Sequence, residues 1–184
     1  MRVLGLDPGS RRTGWGVVER RGTRCELVAF GQVLAPATLG LPERLYAIAG
    51  GIGEVLDEHH PDCVAVEEAF YQKSVRSTLV LGHVRGALLV LAIGRGCAVA
   101  EYSPRTIKLA VTGTGAAAKE QVAFMVRRVL SITGDLPIDA SDGLAVALCH
   151  VQRGGRAPEP RRRSRGATLD RATLEALLAR RVRA

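Results

Sequence analysis

Carboxylates recur in this chain where an apolar run meets a turn or a helix start: Asp7, then Glu67 and Glu68, then Asp139 and Asp142. Asp7 closes the run VLGLD, and alternation along an extended segment puts it on the face of Val3 and Gly5, opposite Leu4 and Leu6. Glu67 and Glu68 close VAVEE and point to opposite faces, so only one of them can share Asp7's side. Asp139 and Asp142, three residues apart, lie on one side of a helix's first turn. Taken singly, each has a plain structural reading. Asp7 could cap the turn at Gly9-Ser10, the glutamates could be a solvated strand end, and Asp139 could be a helix N-cap. Taken together they are costly, because two carboxylates about 4 Å apart repel by roughly 4 kcal/mol at an effective dielectric near 20. No Lys or Arg beside them in sequence offsets this. Such a set suits hard divalent cations, Mg2+ or Mn2+, which take oxygen ligands. Two such ions about 3.5–4 Å apart can activate a water and stabilise the leaving 3′ oxygen of a phosphodiester.

The elements that must position these acids follow from periodicity and turn chemistry. Arg2–Asp7, Thr13–Glu19 and Cys25–Val33 read as strands joined by short links, which favours an antiparallel meander. Pro42 opens a helical pattern to His59, with Leu45, Ile48, Ile52 and Leu56 at three- and four-residue spacing. Asp62–Glu67 is a fourth strand, Ser74–Ile93 a long helix and Cys97–Glu101 a fifth strand. A short helix follows Pro104, Thr112–Ala118 reads as a mobile Gly/Ala-rich loop, and Lys119–Leu130 and Asp139–Gln152 are helices. The order predicts an α/β fold, a five-stranded mixed sheet with helices on both faces, in the ribonuclease H-like arrangement. In that arrangement the first and fourth strands are neighbours, the last helix crosses them, and the acids converge.

Charge divides the chain differently. Residues 153–184 hold ten arginines against three acids, whereas residues 1–152 hold sixteen Lys or Arg against fifteen acids. A near-neutral body, 1–152, thus carries a basic tail, 153–184, which suits a polyanionic partner. Pro158, Pro160 and the arginines predict disorder from Gly154 to Arg165, and Ala167–Arg183 could form a small helix. By this reading no run approaches the length needed to span a bilayer and the start lacks a signal-peptide pattern, so the expected compartment is the cytoplasm, with no membrane partner. Cys25, Cys63, Cys97 and Cys149 are scattered and adjoin apolar segments, which predicts buried thiols.

Five ordered segments then carry a family resemblance: GLDPGSRRTGWGVV (5–18), VAVEEAF (64–70), LGHVRGALL (81–89), EYSPRTIKLAVTGTGAAAKEQV (101–122) and IDASDGLAVALCH (138–150). Across residues 1–152 the chain resembles the RuvC family of bacterial Holliday-junction resolvases. The resemblance implies a metal-dependent endonuclease that resolves four-way junctions by paired nicks. It carries the family's catalytic acids to Asp7, Glu67, Asp139 and Asp142, selecting Glu67 over Glu68 where alternation could not. It matches Lys119 to a lysine near the scissile phosphate, Lys108 to a second DNA-contacting lysine, and Phe70 to an aromatic placed near unpaired bases. It further implies two ions per site, a homodimer, and the RuvA and RuvB branch-migration proteins as partners. The arginine-rich tail lies outside the match.

Other residues are read from their chemistry. Phe70 and Tyr71 followed by Lys73 and Arg76 suit base stacking and phosphate contact, or else are core aromatics. Gly82 and Gly86 allow close helix approach, at a dimer seam or on the sheet; His83 beside them suits an interface or the core. His59 and His60 suit a helix C-terminus. Gly113 and Gly115 lack the strand and the G-K-[ST] ending of a phosphate loop. Three rival functions use similar parts. Sugar kinases and actin-like ATPases share the sheet but need two such domains. The related RNA-processing nucleases share the opening strand but are usually shorter, and the D-x-x-D helix start and the EYSPRTIK segment favour the resolvase. A pure binding module gains nothing from four acids facing phosphate.

Overall fold

The computed structural model describes residues 1–68 and 74–155. Phe70, Tyr71, Lys73 and the tail beyond Gly155 lie outside the described residues. The described elements run β1 (Arg2–Asp7), β2 (Arg12–Arg21), β3 (Arg24–Leu34), α1 (Leu41–His59), β4 (Cys63–Glu67), α2 (Val75–Gly94), β5 (Ala98–Tyr102), α3 (Pro104–Thr112), α4 (Lys119–Val129) and α5 (Ile138–Gln152). Their order in the sheet is β3-β2-β1-β4-β5. β2 pairs antiparallel with β1 and β3, while β1-β4 and β4-β5 are parallel. This is the five-stranded mixed sheet expected from the element order.

The central strands are apolar on both faces because both faces are covered. Leu4, Leu6, Val64 and Val66 pack under α1 and α2 with Ile48, Ile52, Val84 and Leu88. Val3, Cys63, Ala65 and Ala100 pack on the other face under α3, α4 and α5. Every residue of α5 from Gly143 to Val151 is buried. It lies directly against the sheet backbone. A Cβ added to Gly5 would collide with the Gly143 carbonyl and the Ala147 nitrogen, and one on Gly14 would collide with the Asp139 carbonyl. A buried hydrogen bond of 2.7 Å between the Tyr102 phenol and His150 Nδ1 also ties β5 to α5. Burial lowers the His150 pKa and pushes the Tyr102 phenol up to about 12.

Two local expectations are corrected. The segment after α3 is a closed turn rather than a mobile loop. Thr112 Oγ1 lies 2.8 Å from the Lys108 carbonyl and 3.0 Å from that of Thr114, Gly113 caps α3 at φ 79°, and Ala117 is buried. Gly/Ala content concealed a threonine that supplies the closing bonds. Second, α2 is in fact long and apolar enough by length and composition to cross a bilayer. Its inner side (Val84, Leu88, Ala92) is buried on the sheet, whereas Val75, Leu79, Val90 and Ile93 are 45–75% exposed. As expected of a helix C-terminus, α1 ends at His59 and His60 is its left-handed cap, at φ 45°, with its N–H donating to Leu56 O at 3.0 Å. The four cysteines are free, and all but the half-buried Cys25 are buried, as read from sequence.

The seat of α5 leaves no room for a methyl group at Gly5, and both colliding atoms are backbone. Gly5→Ala should therefore lose about 1–3 kcal/mol or more in denaturant unfolding. Gly50→Ala, in the interior of α1 with open space around it, should instead be neutral or stabilising by up to about 1 kcal/mol. Equal effects would refute the close-seat account.

Candidate active site

Parallel register sets the first two acids side by side. Gly5 is level with Ala65 and Leu6 with Val66, so Asp7 and Glu67 end neighbouring strands on the same face, the one α5 covers. The choice that alternation left open is thereby made: Glu67 meets Asp7 through a side-chain hydrogen bond, while Glu68 stands exposed at the rim. Asp142, on the inner side of the first turns of α5, comes down over this pair. A cleft of about 380 Å3 opens here, walled by Asp7, Glu67, Asp142, Lys108 and Lys119, with Glu68 and Arg85 among its other lining residues.

The capping readings fail in this geometry. The turn after β1 is closed by Thr13, whose hydroxyl donates to Gly9 O at 3.1 Å and accepts from Gly9 N–H at 3.4 Å. The N-cap of α5 is Pro137, with no side-chain cap bond, so neither aspartate serves as its cap. The expected quartet is brought together only in part. Asp139 does not line the cleft; its backbone rests on Gly14, opposite Asp7 in register, and its carboxylate lies 3.9 Å from Arg12. Among the described residues, no three acidic, His or Cys side chains are drawn in tightly enough to form a metal cage.

Electrostatics says what the cleft lacks. Burial first, then the charges of Glu67 and Asp142, push the Asp7 carboxyl up to about 8; Lys119 opposes this and Asp139 adds to it. Glu67 is raised by burial and by Asp142, against the pull of Lys119, the Asp7 hydrogen bond and Lys108. Lys119 donates to Asp142 at 3.2 Å, and that carboxylate is the main cause of its own raised pKa. The lysines thus offset the negative charge incompletely. An all-oxygen donor set with residual negative charge fits a hard divalent cation.

One charged cleft residue escaped the sequence reading. Arg85 reaches the cleft from α2, paired with Glu101, and its Nε is buried without a partner among the described residues. The signal available was a single arginine in the middle of an apolar helix. Tyr102, level with Glu67 on β5, does not line the cleft; it is buried and bonded to His150. Arg76 is exposed and lines a neighbouring depression rather than this cleft. His83 is exposed, so its core reading is corrected.

Residues 3–150 match the family model described as crossover junction endodeoxyribonuclease RuvC. The chain belongs to that family. It is 45% identical over 166 residues to the RuvC of Cupriavidus metallidurans, covering 86% of this chain and 92% of that one. It is 48% identical over 151 residues to a Caulobacter RuvC, covering 82% and 89%. In structure it is similar to Thermus thermophilus RuvC in complex with a Holliday junction substrate, at a TM-score of 0.79, 36% identity, and coverage of 84% of this chain and 94% of that one. The ribonuclease H-like expectation therefore stands.

In this RuvC family member the raised Asp7 has a stability consequence. A carboxyl with its folded pKa near 8, against about 3.9 unfolded, favours folding below the lower value. That contribution is lost as pH rises through the upper one. Without divalent ions, Asp7→Asn should melt above the unaltered protein at pH 8–9. The difference should shrink to nothing near pH 4. A constant difference across that range would contradict the buried-charge account.

Proposed function

We propose that this protein is a divalent-metal-dependent endonuclease that resolves Holliday junctions by paired symmetric nicks in recombination and repair. The observation that carries the reading is the incompletely offset carboxylate set of Asp7, Glu67 and Asp142 in a cleft whose wall bears Lys108 and Lys119. With it goes membership of a family of crossover junction endodeoxyribonucleases. Asp7, Glu67 and Asp142 would hold Mg2+ or Mn2+, two ions per site, with Asp139 turning from Arg12 to join them. Bound there, the ions supply a Lewis acid for the phosphate and a water of lowered pKa. Lys119 and Lys108 hold the scissile phosphate by charge, and Lys119 exchanges Asp142 for it. Phe70 and Tyr71 stack on bases unpaired at the crossover, and Lys73 and Arg76 meet phosphates beside them. Residues 1–152 form the nuclease domain and 153–184 a basic tail that adds nonspecific DNA affinity. The compartment is the cytoplasm. The partnership with RuvA and RuvB rests on family resemblance alone.

Paired nicks need two sites, and the outer side of α2 offers a seam for a second copy of the chain. Val75, Leu79, Val90 and Ile93 form an exposed apolar stripe, and Gly82 and Gly86 between them have open space where a facing helix could approach. An apolar stripe of this kind on a soluble domain marks an association surface.

Asp7→Asn, Glu67→Gln, Asp139→Asn and Asp142→Asn should each cut nicking of a four-way junction in Mg2+ by at least about 100-fold while preserving junction binding, because each removes an oxygen ligand's charge and lowers repulsion toward phosphate. Glu68→Gln should retain most activity. Near-normal cleavage by any of the four, or an equal loss at Glu68, would overturn the assignment. Separately, Leu79→Glu with Val90→Glu should convert a dimer to a monomer in sedimentation analysis without lowering the melting temperature appreciably. A dimer that persists would place the seam elsewhere.

A further inference from the structure

A second depression, of about 430 Å3, lies beside the carboxylate cleft and shares Pro8 and Leu81 with it as a common wall. Its character is the opposite. Three guanidinium groups line it, those of Arg11, Arg44 and Arg76, together with Ser10 and Ser77, and none of its lining residues is acidic. Among the described residues none of the three arginines has an ion-pair partner, whereas Arg2, Arg12, Arg21, Arg85 and Arg95 all do. Arg44 Nε is buried with no hydrogen-bond acceptor. The same holds for the Nε of Arg2 and Arg85, so what sets the basin apart is three guanidinium groups gathered with no acid facing them.

The basin is also built to keep its shape. The turn that carries Ser10 and Arg11 is pinned from three sides. Thr13 closes it onto Gly9, Arg44 Nη1 donates to Ser10 O at 3.2 Å, and Ala35 N–H donates to Arg11 O at 2.9 Å. The far wall is the first turn of α2, where Ser74 accepts from Ser77 N–H at 3.4 Å and no acidic residue offsets the positive end of the helix dipole. Arginine forks gathered on a fixed backbone suit the oxygens of a phosphate better than any neutral ligand.

We propose that Arg11, Arg44 and Arg76 form a docking site for the backbone phosphates of the DNA strand whose scissile phosphate occupies the adjoining cleft. The site rests on the nuclease reading given above and extends it: one cleft holds the phosphate to be cut, and the basin across the Pro8–Leu81 wall grips the same strand further along. It holds the strand against the cleft but takes no part in bond breaking.

The test is binding of the full chain to a fluorescent four-way junction by anisotropy, in EDTA so that no strand is cut, over about 50–300 mM salt. Each lost phosphate contact reduces the slope of log K against log salt by about 0.9. Arg11→Gln, which removes an exposed side chain with no ion-pair partner among the described residues, should flatten the slope by about that amount per bound subunit, and Arg11→Gln with Arg44→Gln by about twice as much. Arg24→Gln removes the same charge from the exposed start of β3 and should leave the slope unchanged. Neutral methylphosphonate linkages placed singly along the strand should reveal a position that weakens the unaltered protein and not Arg11→Gln. An unchanged slope in both basin variants, an equal change in Arg24→Gln, or the lack of any such position would overturn the proposal. Failure of the underlying reading looks different: the unaltered protein would then not cut the junction in Mg2+ at all.

Discussion

A carboxyl group is held where water would not leave it charged, and much of this molecule is arranged around that fact. Asp7 sits at the end of the central strand, beneath a helix and against two further acids, in surroundings that keep its proton to about pH 8. Left alone, such an arrangement opposes folding. It persists because the rest of the sheet and the buried helix α5 over-determine the position of the strand end. The same electrostatic tension that weakens the free protein is what would draw in a cation of high charge density, so the stability given up and the affinity gained have one source.

The device that makes this possible is steric rather than electrostatic. Glycine at positions 5 and 14 removes the side chains that would keep α5 at ordinary helix-on-sheet distance. The helix therefore comes down onto bare backbone, carrying Asp142 into reach of strands β1 and β4. Lys119, from the start of α4, closes the ring from outside. Six separate elements, β1, β4, α2, α3, α4 and α5, converge on one cleft, and none of them brings more than two of its charged groups. Arg12, on the start of β2, occupies Asp139 at the edge of the same site, so the outermost acid already has a cationic companion that a metal ion would have to replace.

Much of this was legible in the residues themselves. Strand runs with apolar residues at successive positions announced a sheet covered on both faces, and short links after β1 and β2 announced the meander. Parity along β1 was enough to place Asp7 on the side of Val3 and Gly5. Parity also separated Glu67 from Glu68 but could not choose between them, because the choice depends on register between two strands about sixty residues apart. Asp139 and Asp142 looked like helix caps because local preference and site geometry ask for the same residue at the same place. Only the position of Pro137 as the true cap distinguishes them. Arg85 and the arginine basin were out of reach for a different reason. Their members come from α2, the β1–β2 turn and α1, and nothing local in any of these segments signals the others.

The placement of α5 also has a bearing on how the protein is made. It is the last described helix, and residues 140–151 supply much of the interior on one face of the sheet. Until they emerge from the ribosome, Val3, Ala65 and their neighbours lack the helix that supplies most of the cover on that face, because chain growth is slow compared with local folding. Asp7 and Glu67 are synthesised long before Asp142 and must wait for it. A growing or prematurely ended chain therefore cannot assemble the carboxylate cleft, and the order of translation itself withholds the cleft until the domain is complete.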